Sequence, residues 1–184
     1  MSPTVTVSVN IDTKQTEPKE LKDVSTKAVT DPTIDALAKR LTEGGGDISL
    51  FDYAQWLNMR IKNLLGNASI EIKEATITSG KFYNEDKDKS LLPSQVDGTV
   101  IAPGQIVTVS ACGKKGAWVG TEGKISLYEG STRICVFSWD CPFWSSKNSF
   151  NATSVHPSYN VTVGDWNQTG GAIGNVYLEV ERLD

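Results

Sequence analysis

The sequence predicts an all-β protein, an antiparallel β-sandwich behind an N-terminal arm that holds one strand and one short helix. Three observations lead there. From Asp47 onward, short runs alternate apolar with polar residues, the period of a half-buried strand. Turn pairs punctuate those runs at Asp97-Gly98, Pro103-Gly104, Glu129-Gly130 and Gly170-Gly171. Helical spacing is confined to one segment of the arm.

The arm covers residues 1–48 and the sandwich residues 49–184. Thr4–Ile11 alternates strictly, with Val5, Val7, Val9 and Ile11 on one side, and reads as a strand. A polar linker follows. Asp31 then caps a helix over residues 32–43, with Pro32 in its first position and Ile34, Leu37, Ala38 and Leu41 as its apolar stripe. Gly44-Gly45-Gly46 ends it.

In the sandwich, Phe51–Lys62 sets Leu57, Met59 and Ile61 against Asn58, Arg60 and Lys62. Ala68–Ile77 repeats the pattern, with Ile70 and Ile72 opposite Glu71 and Lys73. Further strands are expected at 99–101, 105–112, 124–128, 132–139, 150–155, 160–163 and 175–180. Asn84–Lys89 reads as a solvated hairpin tip, because its interleaved lysines and missing glycine spoil a calcium loop. In Arg133–Phe150, Cys135, Phe137 and Trp139 share one face, and the strand is expected to stop pairing at Asp140–Pro142.

Composition removes several classes of function. The chain has 184 residues, of which 39% are hydrophobic and 22% charged, enough to bury a real core. Its net charge of −4 argues against a nucleic-acid partner and against adhesion to anionic lipid through a basic patch. No run approaches the roughly 18 apolar residues of a spanning helix. The N-terminus lacks the basic-then-apolar profile of a signal peptide, so the expectation is a chain that is cytoplasmic as synthesised. Release by a non-classical route to act on target cell membranes is compatible with that.

Catalytic machinery is also missing from the pattern. The one histidine, His156, precedes Pro157 in a turn, and no G-x-S-x-G elbow is present. Cys112, Cys135 and Cys141 with a single histidine do not make a zinc site. Buried free thiols are the expectation for all three. The glycine-rich Gly113–Gly123 lacks the following helix of a phosphate loop. The reading is therefore a non-enzymatic protein without cofactor or metal.

What remains is aromatic. Phe143 and Trp144 are adjacent just past Pro142, where successive side chains of an extended chain point opposite ways. Either at least one ring is exposed, or the loop folds back and buries both. Trp118 sits in the flexible glycine loop, either exposed or plugging one end of the sandwich. Exposed large rings beside Ser145, Ser146, Lys147 and Asn148 suit an uncharged or zwitterionic surface.

From Asp52 to Leu183 the sequence resembles the aegerolysins, small acidic β-sandwich proteins of fungi and bacteria. The resemblance is carried by Tyr53-Ala54-Gln55-Trp56, Ser79-Gly80-Lys81, Asp86-Lys87-Asp88, Gly98-Thr99-Val100-Ile101-Ala102-Pro103 and Ala111-Cys112-Gly113. It continues in Gly120-Thr121-Glu122-Gly123, Trp139-Asp140-Cys141-Pro142 and Gly171-Ala172-Ile173-Gly174, in the same order. It implies a lipid-recognising cytolysin or haemolysin. The implied partners are membrane sphingolipids, either sphingomyelin with cholesterol or ceramide phosphoethanolamine, and in several members a larger pore-forming protein of the membrane-attack-complex/perforin class. Family binding aromatics map onto Trp56 and Phe143, with Trp144 adjacent and Lys147 one place beyond the family's lysine. Ser79, Lys81, Trp118, Val119 and Trp139 complete the expected lipid-binding set. Two positions depart. Ser79 stands where fungal sphingolipid binders have tryptophan, and Val119 where they have a glutamate that governs cholesterol-dependent recognition. These departures support the alternative, a soluble interaction or structural protein that keeps the fold without lipid recognition.

Overall fold

The computed structural model describes residues 53–183. The expected strand at 4–11, helix at 32–43 and boundary at 48 lie outside the described residues. Among those described are eleven strands and one short helix. In chain order they are β1 (Trp56–Asn63), β2 (Ile70–Ser79), β3 (Lys81–Asn84), β4 (Asp86–Leu91), α1 (Pro93–Val96), β5 (Val100–Ile101) and β6 (Ile106–Cys112). Then follow β7 (Thr121–Glu129), β8 (Thr132–Cys141), β9 (Ser149–Thr153), β10 (Tyr159–Val163) and β11 (Gly174–Arg182).

Alternation decides which side chains meet. Leu57, Met59 and Ile61 of β1 and Val176, Leu178 and Val180 of β11 are fully buried. Facing them are Ile72 of β2, Ile125 and Leu127 of β7, and Phe137 and Trp139 of β8, all in one apolar cluster. Each such side chain, fully withdrawn from water, contributes about 1.5–3 kcal/mol before chain entropy is charged against it. One sheet has six strands in the order β10-β11-β1-β6-β3-β4, and the other has five in the order β5-β2-β7-β8-β9. The pairing is antiparallel throughout except for β1 with β11, which run parallel with Met59 opposite Val176.

Some elements differ from the sequence reading. The charged Asn84–Lys89 is more than a tip: β3 and β4 pair across it, and Glu85 alone turns the corner at φ 57°. As an edge strand with both faces largely in water, β4 has no reason to alternate. Strand β8 runs on to Cys141, pairing Asp140 with Ser149 and Cys141 with Thr121, and stops only at Pro142. The one-turn α1 was not expected. Pro93 starts it, the Gln95 side chain accepts the Leu92 N–H, and Asp97 beyond it accepts the Ala75 N–H at 2.7 Å.

Candidate functional site

Three chain crossings meet at one end of the sandwich, and glycine makes the meeting possible. A Cβ on Gly80, which has φ +81°, would lie 2.3 Å from the Cys112 carbonyl oxygen and 2.9 Å from that of Gly120. One on Gly113 would lie 2.4 Å from the Val119 oxygen, and one on Gly120 only 2.0 Å from the Cys141 oxygen. Backbone therefore touches backbone between the β2–β3 corner, the β6–β7 loop and the β8–β9 loop. Ser79 adds a bond across the junction, its Oγ donating to the Gly120 carbonyl at 3.2 Å.

The close approach brings the loop aromatics together. Trp118 and Trp144 stack, with centroids 5.5 Å apart and planes 20° apart. Phe143 meets both edge-on, at 5.4 Å from Trp118 and 5.0 Å from Trp144. Trp144 is 72% exposed and Val119 37%, while Trp118 and Phe143 are half-buried. Ser79, Trp118, Val119, Phe143 and Trp144 thus line one cleft of about 390 Å³. Glu122 and Asp140 also line it, and sequence reasoning did not single them out. Their signal was the alternation of β7 and β8, which turns both outward while Gly123 and Trp139 point in.

Four expected residues lie elsewhere. Trp139 is a correction to the expected lipid contacts: it is 2% exposed, packs edge-on against Phe82 at 5.8 Å, and its Nε1–H donates to Thr121 Oγ1. It belongs to the inward row of β8 with Phe137, so it supports the site from below. Trp56 and Lys81 sit in a second cluster, each beside Cys112 in strand register. There Lys87 Nζ lies 4.9 Å from the Trp56 ring centroid and Lys81 Nζ 4.7 Å from that of Tyr53. Tyr53 donates its hydroxyl to Asp88, holding that carboxyl below its ordinary range, and burial lowers the Lys87 ammonium. Tyr53 and Lys87 were legible only inside quoted motifs. Lys147 is exposed at the far side of the β8–β9 loop, where its backbone bridges to Thr169. Beside it, buried Asn148 donates from Nδ2 to the carbonyls of Asn167 and Gly171, anchoring the loop base.

The chemistry available is that of contact. Among the described residues no group of three or more His, Cys, Asp or Glu side chains could hold a metal. Cys112, Cys135 and Cys141 are free and buried, and burial pushes their thiols up to about 11, about 12 and about 11. Thiols held so far above neutrality are poor nucleophiles. His156 is exposed and accepts the Ser158 N–H in its own turn.

A rigid sandwich presenting loop-borne rings beside a polar rim defines a surface-binding module. The family model for aegerolysin matches residues 54–183. Asp-hemolysin of Aspergillus fumigatus is 38% identical over 131 residues, covering 71% of this chain and 94% of that protein. Aegerolysin Aa-Pri1 of Cyclocybe aegerita is 29% identical, covering 71% of this chain and 92% of its own. Among solved structures, RahU protein in complex with a TRIS molecule superposes with a TM-score of 0.69 at 30% identity, covering 72% of this chain and 98% of RahU. The chain belongs to the aegerolysin family. It is an aegerolysin-type, lipid-binding protein.

Proposed function

We propose that the chain is a non-enzymatic sphingolipid-binding protein that docks Trp118, Phe143 and Trp144 into the lipid–water interface. It acts as a cytolysin or haemolysin, or as the membrane-targeting half of a two-component pore former with a larger perforin-class protein. The observation that carries this reading is Trp144, 72% exposed yet held by stacking on Trp118. A ring fixed in place but left in water loses little further entropy on binding. Withdrawing the exposed Trp144 ring from water contributes about 1.5–3 kcal/mol, and the half-buried Trp118 and Phe143 rings each add less. The relative named Asp-hemolysin supports the cytolytic part.

The test is cosedimentation of the full chain with phosphatidylcholine vesicles containing sphingomyelin and cholesterol, or ceramide phosphoethanolamine, with W144A alongside. Retention on either sphingolipid, lost in W144A, is the expected result. Failure of folded protein to bind any of them favours the second reading, a soluble interaction protein. The observation behind that reading is the pair of positions Ser79 and Val119, where the cleft wall offers neither indole nor carboxylate.

A further inference from the structure

Among the described residues four strands end a sheet, and three of them are guarded. In the smaller sheet β5 is only 2 residues long. The chain entering β9 is bridged to the loop beyond β10, through Lys147 with Thr169 and through the Asn148 N–H on the Gln168 carbonyl. In the larger sheet β4 carries Asp86-Lys87-Asp88-Lys89 and breaks register with β3. Charge, irregularity and shortness are the devices that keep an open edge from pairing. Strand β10 has none of them. Its Tyr159-Asn160-Val161-Thr162-Val163 is uncharged, free of proline and in unbroken register with β11.

The ladder shows which backbone groups stand open. In an antiparallel pair, alternate residues turn both N–H and C=O toward the neighbouring strand. The Gly164 N–H donates to the Tyr177 carbonyl, and the Leu183 N–H to the Ser158 carbonyl. The even-numbered residues of β10 therefore face β11, and Tyr159, Val161 and Val163 face outward. The Tyr159 N–H is already given to the His156 carbonyl at 3.0 Å, which leaves the N–H groups of Val161 and Val163 as the open donors. The Val161 and Val163 side chains pack on the core yet are only partly buried, as is Trp166 just beyond the strand.

The missing neighbour has to be an extended, uncharged strand that is apolar at alternate residues. A second β10 is such a strand. Turned about a two-fold axis at Val161, it sets Val161 against the partner's Val161, Tyr159 against the partner's Val163 and Asn160 against the partner's Thr162. Both open donors then find acceptors, Val161 on the partner's Val161 carbonyl and Val163 on the partner's Tyr159 carbonyl. No charged residue of either strand meets its own copy. We propose that β10 is a self-association edge, through which the larger sheets of two copies of this chain join into one. Antiparallel pairing reverses the strand direction, so the aromatic clefts, which lie at strand ends, point opposite ways in the pair.

The test is sedimentation velocity of the full chain from about 10 μM to 1 mM, because an edge this short makes a small and weak interface. Hydrogen exchange of the Val161 and Val163 amides is followed over the same range. Two variants accompany it. V161P removes only an outward N–H and spares the bonds to β11. T162K sets on the exposed face the cation that edge strands use against pairing. Expected is a monomer–dimer equilibrium in which exchange at Val161 and Val163 slows severalfold as the dimer fills, while both variants stay monomeric and unfold thermally as folded proteins. If V161P does not fold, T162K carries the comparison. A single monomeric species throughout overturns the proposal. A dimer that survives in a folded variant overturns it too, since the contact then lies on another surface. So does protection of the two amides that is independent of concentration, since another segment of the same chain then covers the edge.

Discussion

Replacing Gly120 with alanine should damage this protein far more than its small volume suggests. The backbone there is not in the left-handed region, so alanine meets no conformational penalty. The obstacle is steric: the new Cβ would stand 2.0 Å from the Cys141 oxygen, 2.9 Å from the Cys141 carbonyl carbon and 2.8 Å from the Pro142 Cα. All three are backbone atoms, so no rotamer change relieves the contact, and β7 must part from β8 by more than an ångström. Overpacking of this kind costs on the order of 2 kcal/mol. A domain of this size loses about 4 °C in Tm for each kcal/mol, so a fall of about 8 °C is expected. Gly98→Ala is the contrast, because its φ is +79° with nothing within 4 Å. That substitution meets only the conformational cost, roughly 1 kcal/mol. Differential scanning calorimetry of the two variants measures the order. The separation of the strands should also pull Trp118 from Phe143 and Trp144, shifting tryptophan emission to the red. If G120A melted within a degree or two of wild type, with unchanged emission, the account of backbone contact as the organiser of the site would be wrong.

Other outcomes follow from the same structure. Trp144→Ala should leave Tm within about 1 °C, as expected of an exposed side chain, while cutting vesicle binding roughly tenfold; a loss of stability in calorimetry contradicts this. Phe137→Ala removes a fully buried ring and should cost about 3–5 kcal/mol in denaturant unfolding. Glu129 clasps the two sheets by accepting hydrogen bonds from Arg182 and from Tyr159, which together hold its carboxyl below the ordinary carboxylate range. A lowered folded-state value stabilises above the ordinary carboxylate range and is lost as pH falls through that lowered value. The Tm gap between wild type and E129Q should therefore be full at neutral pH and close in acid; a gap independent of pH refutes the clasp. Finally, the three buried thiols should react with a disulfide reagent only after denaturation, and rapid titration of even one in the native state contradicts their burial.

Strands with one wet and one dry face were plain in the sequence, as in β1, where Leu57, Met59 and Ile61 alternate with Asn58, Arg60 and Lys62. Where burial is not one-sided the signal fades. Strand β4 carries Asp86-Lys87-Asp88-Lys89 because an edge strand needs no apolar face, so its chemistry resembled a loop. The parallel union of β1 with β11 joins segments over a hundred residues apart and leaves no local trace. For the site, adjacency of Phe143 and Trp144 past Pro142 left open whether one ring is exposed or the loop buries both, and the structure exposes Trp144. Trp118 stood out in its glycine loop, but its stacking on Trp144 was beyond reach of sequence, because three glycines at distant positions decide it. Trp139 was legible as inward from its alternation with Phe137, and the motif around it obscured that.

The parallel seam between β1 and β11 also bears on how the molecule comes into being. During synthesis the central strand of the larger sheet emerges early, with one flank satisfied by β6 and the other open until Gly174–Arg182 leaves the ribosome. Through that interval Leu57, Met59 and Ile61 lie next to unpaired amide and carbonyl groups, a template any stray strand can copy. The nascent chain is thus open to self-association until β11 has emerged, and that strand serves as the stopper.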